Sequence, residues 1–517
     1  MDLKMNKENL PAAVSVYEGI QEQSIDLDYI LPDYYPDIFR IVRCETVPVI
    51  TGWNINGAKL SYELRCDINI LYCGEGDSVI RSVTQFQTYQ RSIDLERPCE
   101  QPTVSLIPKA DHINFRAVNK RRFDLHGAVS IKVSVSCETS QEVISYVSGM
   151  NLQLKTTPMT FAAQKSVTEK QLHLSEETEL SPAQPAVANI VNCRSKVTDC
   201  EKKMISGKLL VKGELGIDLL YSYGSDGSGA LEAMNFSLPY SQVIDIDTID
   251  ENYECRVTPE IISCEITPAA GKDGENRILR CEADLRLICS AVRTSTVMVG
   301  TDAYSTVYPC EVTFSDIDAE QLPTVYNESF RHTARLAEGD SVPETIYSMW
   351  VTPKNINTRL LEDGKSLVIS GMLTYSMAVR DNSGMISMPD KDETFEETIT
   401  IGDDMSNSAV IAEITPNDVS YTISSDGILT AKSEMSARIS VTPSAAVKAI
   451  TDITVDDSVR KSRDGDYAIK LYFGVPGEDV WSIAKRYSTC VSAIMEENDL
   501  EGDHLENGGM LLIPIVT

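Results

Sequence analysis

Along most of the chain, apolar residues recur at every second position. In Lys208–Tyr221, Leu209, Val211, Leu215, Ile217 and Leu219 hold the odd positions, with a break at Gly213. In 128–135, Val129, Ile131, Val133 and Val135 alternate with small or charged residues. A period of two sets one face of a strand against a core and the other in water, so these segments read as half-buried antiparallel strands. Clusters rich in Gly, Ser and Asp, such as 223–229, punctuate them. Near the C-terminus the period changes. Val480, Ile483, Ala484 and Tyr487 fall at i, i+3, i+4 and i+7, one face of a helix for which Asp479 is the expected N-cap. A second short helix is expected over Val491–Asn498, with Val491 and Ile494 inward. Strands at Tyr467–Phe473 and Leu511–Pro514 flank the pair, giving the order strand, helix, helix, strand.

The strand-rich part repeats. Pro36–Tyr72 aligns without a gap on Pro185–Tyr221: Cys44 meets Cys193, and Leu71 and Tyr72 meet Leu220 and Tyr221. A third copy starts at Pro343, where Gly371 meets Gly213. The later part of each unit also recurs, from Ile107, Val257 and Glu413, as a Pro, a strand, a turn and a longer alternating strand. In the third copy Ser425, Asp426 and Gly427 supply the turn. A period on the order of 150 residues is too long for a solenoid and suits tandem domains. The expected fold is mainly β: three tandem antiparallel β-sandwich or barrel-like domains followed by a small α+β (βααβ) module. Their expected spans are 1–165, 166–318 and 319–450, a polar linker at 451–464 and the module at 465–517. Short linking helices are expected around Pro36–Val42 and Gln164–Leu172.

Charge and cysteine usage narrow the class. A net charge of −31 over 517 residues opposes binding to nucleic acid or an anionic membrane. The 13 cysteines include no Cys-x-x-Cys pair. Several, such as Cys66, Cys281 and Cys289, sit in apolar strand runs as small hydrophobes, and their usage suggests a reducing compartment. No signal-peptide core and no run of roughly 20 apolar residues is seen, so a cytosolic protein is expected.

Catalytic and metal chemistry find little support. The histidines are His112, His126, His173, His332 and His504, none in an HExxH pattern, and no Gly-x-Ser-x-Gly elbow occurs. Gly364-Lys365-Ser366 lacks the first Gly of a phosphate-binding loop, since Arg359 stands there, and reads as a hairpin turn. Asp245–Asn252 lacks the Gly and terminal Glu of a calcium loop and reads as a solvated acidic loop. No enzyme, cofactor or metal is expected.

The C-terminal module resembles a LysM domain. The residues that carry the resemblance are Gly477, Trp481, Ile483, Ala484, Tyr487, Val491, Ile494, Asn498, Leu500, Leu505, Gly508, Leu511, Ile513 and Pro514. Glu478-Asp479 replaces the usual Asp-Thr, Ser488 a frequent helix-ending Gly, and Gly509 a frequent Gln. The resemblance implies a groove for N-acetylglucosamine polymers between about Phe473–Asp479 and Asn498–Gly509. Yet 466–517 holds nine acidic against three basic residues, including Glu496, Glu497, Asp499, Glu501, Asp503 and Glu506. Such a field suits a basic protein surface better than a neutral sugar. The expected partner-binding residues are Gly477, Glu478, Asp479, Trp481, Lys485, Ile494, Asn498 and Leu500. Packing of Trp481 and Ile494 in the module's own core, and solvation of Lys485 and Arg486, are the competing readings.

Gln21–Cys44, and Leu31–Ile38 (LPDYYPDI) above all, resembles the opening of SPOCS domains, found in spore-forming Firmicutes. SPOCS repeats ahead of one LysM domain resemble the SipL family of spore proteins. The resemblance implies a mother-cell protein of the forespore surface, whose LysM domain engages SpoIVA, the coat morphogenetic ATPase. Peptidoglycan binding is the alternative. Tyr29, Tyr34 and Tyr35 are either a docking strip or a loop packed on its own domain, the favoured reading.

Overall fold

The computed structural model describes all residues except 1–2, 76–78, 100–101, 206, 225–229, 247–251, 320, 445, 463–467 and 516–517. Most of the Asp245–Asn252 loop thus lies outside the described residues. Strands dominate. The first six are β1 (Lys4–Ile30), β2 (Ile38–Asn56), β3 (Lys59–Gly74), β4 (Ile80–Asp94), β5 (Pro102–Asn119) and β6 (Arg122–Ser148). They make two antiparallel sheets, β2-β3-β4 and β1-β6-β5. The inward rows, such as Leu64, Ile68, Ile131 and Val133, fill one core between the sheets.

The plan recurs in β7 (Leu152–Glu179), β8 (Asn189–Ile205), β9 (Lys208–Tyr223), β10 (Ala230–Asp245), β11 (Glu254–Ala270) and β12 (Asn276–Ser305). Here the sheets are β8-β9-β10 and β7-β12-β11. The third unit comprises β13 (Cys310–Asp318), β14 (Thr324–Glu338), β15 (Thr345–Leu360), β16 (Ser366–Arg380), β17 (Ile386–Ser387), β18 (Asp390–Thr400), β19 (Ser408–Ile423), β20 (Ile428–Pro443) and β21 (Ala446–Val455). Its sandwich is formed by β15-β16-β18 and β14-β20-β19. Among the described residues no sheet closes into a barrel, so these units are sandwiches.

The three sandwiches are not independent beads. The first and last strands of each unit run past the sandwich as a two-stranded ribbon: 4–14 with 137–148, 152–164 with 293–305, and β13 with β21. The ribbons pack on one another around shared apolar residues. Each carries one extra residue at the same place, Ser145, Thr301 and Thr451. Those bulges make Ile144, Gly300 and Ile450 equivalent, and likewise Val147, Ala303 and Ile453. All six converge at the hub. A Cβ on Gly300 would lie 2.8 Å from the Ile144 carbonyl oxygen and 3.7 Å from Ile450 Cδ1, so only glycine fits there. A second shared core holds the equivalent Leu71, Leu220 and Ala378 with Trp350, which Arg43 and Arg194 cover at 5.5 and 4.8 Å. The units therefore surround a pseudo-threefold axis.

Four expectations are corrected. Around Pro36–Val42 and Gln164–Leu172 the chain is extended: Ile38 opens β2, and 164–172 lies within β7, paired with β12. The second segment is rich in Gln, Lys and Glu because β7 is an edge strand with one face in water, and ladder pairing overrides helix propensity. The described part of the polar stretch, 451–462, is not a free linker. Residues 451–455 belong to β21, and beyond them Lys461 donates its backbone N–H to Val307 O (2.9 Å) and its Nζ to Ser305 O (2.7 Å). Nor are the thiols uniformly free. Cys99 and Cys137 are joined in a disulfide, with Cα atoms 5.6 Å apart. Cys66, Cys281 and Cys289 are buried free thiols, as their apolar setting implied.

Gly364-Lys365-Ser366 forms the expected hairpin turn, with Asp363 Oδ1 accepting the Lys365 and Ser366 backbone N–H groups at 2.9 Å each. The LPDYYPDI loop is tied down by Arg121, which donates to Tyr35 O (2.7 Å) and Leu31 O (2.9 Å). Tyr29 and Tyr35 pack on the first core and only Tyr34 points outward, so the loop packs on its own domain.

Candidate partner-binding site

The C-terminal module has β22 (Ile469–Gly474), α1 (Val480–Tyr487), α2 (Val491–Glu497) and β23 (Gly509–Pro514), with β22 antiparallel to β23. Its core is the expected helical stripe: Val480, Ile483, Ala484 and Ile494 are buried with Leu505, Leu511 and Ile513. Asp479 stands at the N-cap of α1 and Ser488 ends it in the left-handed region at φ +50°.

Several expected contact residues hold the module together. Gly477 (φ +80°) turns the first loop, and its N–H donates to Leu505 O at 2.7 Å. Glu478 accepts from Tyr472 OH at 2.5 Å and from Val475 N at 3.3 Å; the carboxylate bond raises the Tyr472 pKa. Asn498 clamps α2 to β23: its Nδ2 donates to Ile494 O and Leu512 O (2.8 and 2.7 Å), and its Oδ1 accepts from Leu512 N (2.7 Å). Ile494 is fully buried, and Leu500 packs on the same core. Ile494 and Asn498 are thus turned into the module itself.

Asp479, Trp481 and Lys485 face the second ribbon. Trp481 Nε1 donates to Asp302 Oδ2 at 2.8 Å, and Lys485 Nζ reaches Asp302 Oδ1 at 2.7 Å. Lys155, paired with Asp302 across the ribbon, places its Nζ 3.2 Å from Asp479 Oδ2. The Trp481 ring meets Tyr304 edge-on at 5.0 Å, and Tyr304 OH donates to Thr489 O at 2.7 Å. Burial would raise the Asp479 pKa. Hydrogen bonds from Ser482 and Lys155 outweigh it and hold the carboxyl below its usual value. Lys155, Asp302 and Tyr304 lie some 180 residues or more before α1, and no sequence pattern pointed to them.

The face left open is the outer side of the β22–β23 sheet. Leu471 and Phe473 are each 66% exposed, Met510 62% and Val475 54%, with Ile469 alongside. Phe473 lies opposite Met510 and Leu471 opposite Leu512. Soluble domains rarely leave such a contiguous apolar set in water without an occupant. The alternation of Ile469, Leu471, Phe473 and Val475 was a readable signal, since the core is already claimed by Tyr472 and the helices. The acidic residues Glu496, Glu497, Asp499, Glu501, Asp503 and Glu506 are all exposed on the same small module.

Among the described residues no group of three or more His, Cys, Asp or Glu is arranged to hold a metal ion. A cleft of about 320 Å³ in the third unit is lined by Asp340 and Asp381. The Asp381 carboxylate is taken up by Ser383 Oγ (2.6 Å) and by the Ser383 and Met385 N–H groups (2.9 Å each), which makes it a turn cap. No described helix is long and apolar enough to cross a membrane.

A repeat body of β-sandwiches carrying one small α+β binding module is the architecture of a scaffold. The chain contains a LysM domain, matched over 475–514, and a SipL-type SPOCS domain, matched over 186–268. The SPOCS match falls on the second sandwich. Both are non-catalytic, binding-type domains, and the pairing fits sporulation and peptidoglycan-binding families. No curated protein and no solved structure matches the chain.

Proposed function

We propose that this chain is a non-enzymatic scaffold of spore coat or envelope assembly whose LysM domain recruits a protein partner at the forespore surface. The partner implied by the SipL resemblance is a SpoIVA-like coat morphogenetic ATPase. The observation that carries the reading is the open apolar face of Leu471, Phe473, Val475 and Met510 on an acidic module. An open apolar face has the character of the centre of a protein interface, and the acidic residues elsewhere on the module favour a basic partner. The pseudo-threefold body holds the module at one fixed place through Asp302 and Tyr304.

The test is a pull-down from sporulating cells with the full chain as bait. Leu471→Glu with Phe473→Glu is expected to lose the captured ATPase while circular dichroism and thermal midpoint stay unchanged. Capture at the wild-type level would refute the reading.

A second reading, glycan binding, is favoured by the LysM match itself. The two loops that would flank a sugar are joined by Gly477 N to Leu505 O (2.7 Å) and Leu505 N to Glu478 O (2.9 Å). Calorimetry with N-acetylglucosamine oligomers separates the readings: heat of binding abolished by loop variants but not by Phe473→Glu supports the glycan.

A further inference from the structure

We propose that the cleft in the third sandwich is a docking pocket for an aromatic side chain of a partner protein, with a basic residue beside it in the partner's sequence. The cleft opens between the β14–β15 loop and the turn that follows β16, and Met377, Val379 and Val342 line it together with Asp340 and Ser341. Its volume of about 320 Å³ lies at the low end of the roughly 300–1,000 Å³ of ligand pockets, a size for one large side chain and its neighbour.

The first two sandwiches close the same place with their own side chains. Three backbone hydrogen bonds fix the equivalence: Leu31 N donates to Arg121 O (2.7 Å), Leu180 N to Arg277 O (2.8 Å) and Gly339 N to Gly427 O (2.8 Å). Strand register makes Tyr72, Tyr221 and Val379 equivalent as well, since they pair with Ile41, Ile190 and Ile346, each just before a bulge. Tyr72 and Tyr221 are fully buried and donate their hydroxyls to the loop, to Pro36 O (3.4 Å) and Pro185 O (3.2 Å). Arg121 donates to Tyr35 O (2.7 Å) and Arg277 to Ser181 O (2.8 Å) of the same loops. Leu31 and Leu180 pack into the same cores as the tyrosines. The third sandwich has Val379 for the tyrosine, Gly427 for the arginine and Gly339 for the leucine. Between the leucine position and the first equivalent ladder pair lie 32–39 and 181–188, but only 340–344 in the third unit. The shorter loop closes part of the gap. Room remains: a Cβ on Gly339 would meet no atom within 4 Å, and one on Gly427 would meet only Gly339, at 3.8 Å.

The lining and the sibling sites together name the occupant. Met377 and Val379 are buried and make an apolar floor of the kind that a ring covers. In the two siblings the group at this place is a phenol ring delivered by a peptide backbone, so a partner segment delivers the same group here. Asp340 is exposed at the rim, and among the described residues its carboxylate has no hydrogen-bond or ion-pair partner. Asp381, also in the lining, is taken up by its own turn. A free carboxylate beside an apolar floor selects a cation next to the ring.

The full chain is titrated with N-acetyl-tyrosyl-arginine amide, with N-acetyl-seryl-arginine amide and with tyramine, and binding is read by saturation-transfer NMR. The tyrosyl peptide is expected to saturate, with transfer strongest at its ring protons, and to bind about tenfold more tightly than the seryl peptide. Val379→Tyr, which restores the sibling ring, is expected to abolish that binding and to raise the thermal midpoint. Asp340→Asn is expected to weaken it several-fold, and the weakening should vanish in high salt. Leu471→Glu with Phe473→Glu, on the LysM domain, should leave it unchanged. Asp340→Asn alters only the rim, so it decides the matter if Val379→Tyr fails to fold. Undiminished binding in both Val379→Tyr and Asp340→Asn, equal affinity for the seryl peptide, tyramine bound as tightly as the peptide, or no binding at millimolar peptide would each overturn the proposal.

Discussion

The second ribbon and the third are built alike, yet only one of them seats the LysM domain. In both, a residue is bulged out, Thr301 or Thr451, and the next positions alternate between hub and outside. Ala303 and Ile453 turn into the hub core. On the other side the second ribbon has Asp302 and Tyr304, and the third has Asp452 and Thr454 at the equivalent sites. An Asp alone does not make the seat. Tyr304 supplies the apolar area, packing with Val480, Ile483 and Trp481, while Asp302 takes the Trp481 and Lys485 donors. The first ribbon has neither, with Tyr146 and Ser148 in their places. Hub packing is thus common to the three ribbons, while module docking depends on two side chains of one.

The largest effect is expected from Gly300→Leu, which attacks what the ribbons share. The added Cβ meets the Ile144 carbonyl at 2.8 Å and Leu154 Cδ1 at 3.0 Å, and the backbone oxygen has no room to yield. Overpacking of this kind costs about 1–3 kcal/mol, and here the upper end or more is expected as a lower denaturant midpoint of the whole body. Tyr304→Ala attacks what is special to the second ribbon. It removes a ring that is only 3% exposed and its bond to Thr489 O, so a loss of about 3 kcal/mol is expected. The loss should fall on docking: hydrogen exchange should quicken in α1 and in 302–305 and stay unchanged in β3 and β16. Uniform loosening would show that the module and hub are one cooperative unit.

Asp302→Ala comes next. It leaves Trp481 Nε1 and Lys485 Nζ without their acceptor, a cost on the order of 1–2 kcal/mol at this partly exposed site. Asp302→Asn, which keeps one acceptor for Trp481, should recover part of it. The readout is Trp481 fluorescence against denaturant. Equal midpoints for wild type and Asp302→Ala would mean that Tyr304 alone makes the seat.

Much of this was legible in sequence, and the reason differs by element. Periods of two and 3.6 are local, so the strands, α1 and α2 could be read directly. The repeat alignment pointed to the strand-rich units because equivalent inward rows, such as Leu71 and Leu220, recur, although 152–165 and 310–318 pair with the unit that follows them rather than the one before. The ribbons were not legible. Their strands continue β1, β6, β7 and β12 with no turn residue to mark where sandwich ends and hub begins. Polar Gln164–Leu172 read as helix because ladder partners on β12 lie more than 100 residues away. At the candidate site, the motif residues Trp481, Asn498 and Gly477 stood out because they hold the domain together. Leu471 and Phe473 fall at positions that the motif leaves unspecified.

The smallest expected effect is that of pH on the Lys155–Asp479 contact. The folded pKa of Asp479 lies below its ordinary value, so the contact contributes fully above the unfolded carboxyl pKa of about 3.9 and is lost as pH falls through the folded pKa. The pair is partly exposed, with 39% and 21% of the two side chains accessible, so its share is within about 1 kcal/mol and is screened by salt. Lys155→Met should therefore lower the Trp481 unfolding midpoint slightly at pH 7, and by less as the pH falls through the folded Asp479 pKa. Tyr304→Ala should cost the same throughout. If the Lys155→Met effect did not shrink with acidification, the lysine would act through its apolar stem against the module, and the seat on the second ribbon would be almost wholly apolar.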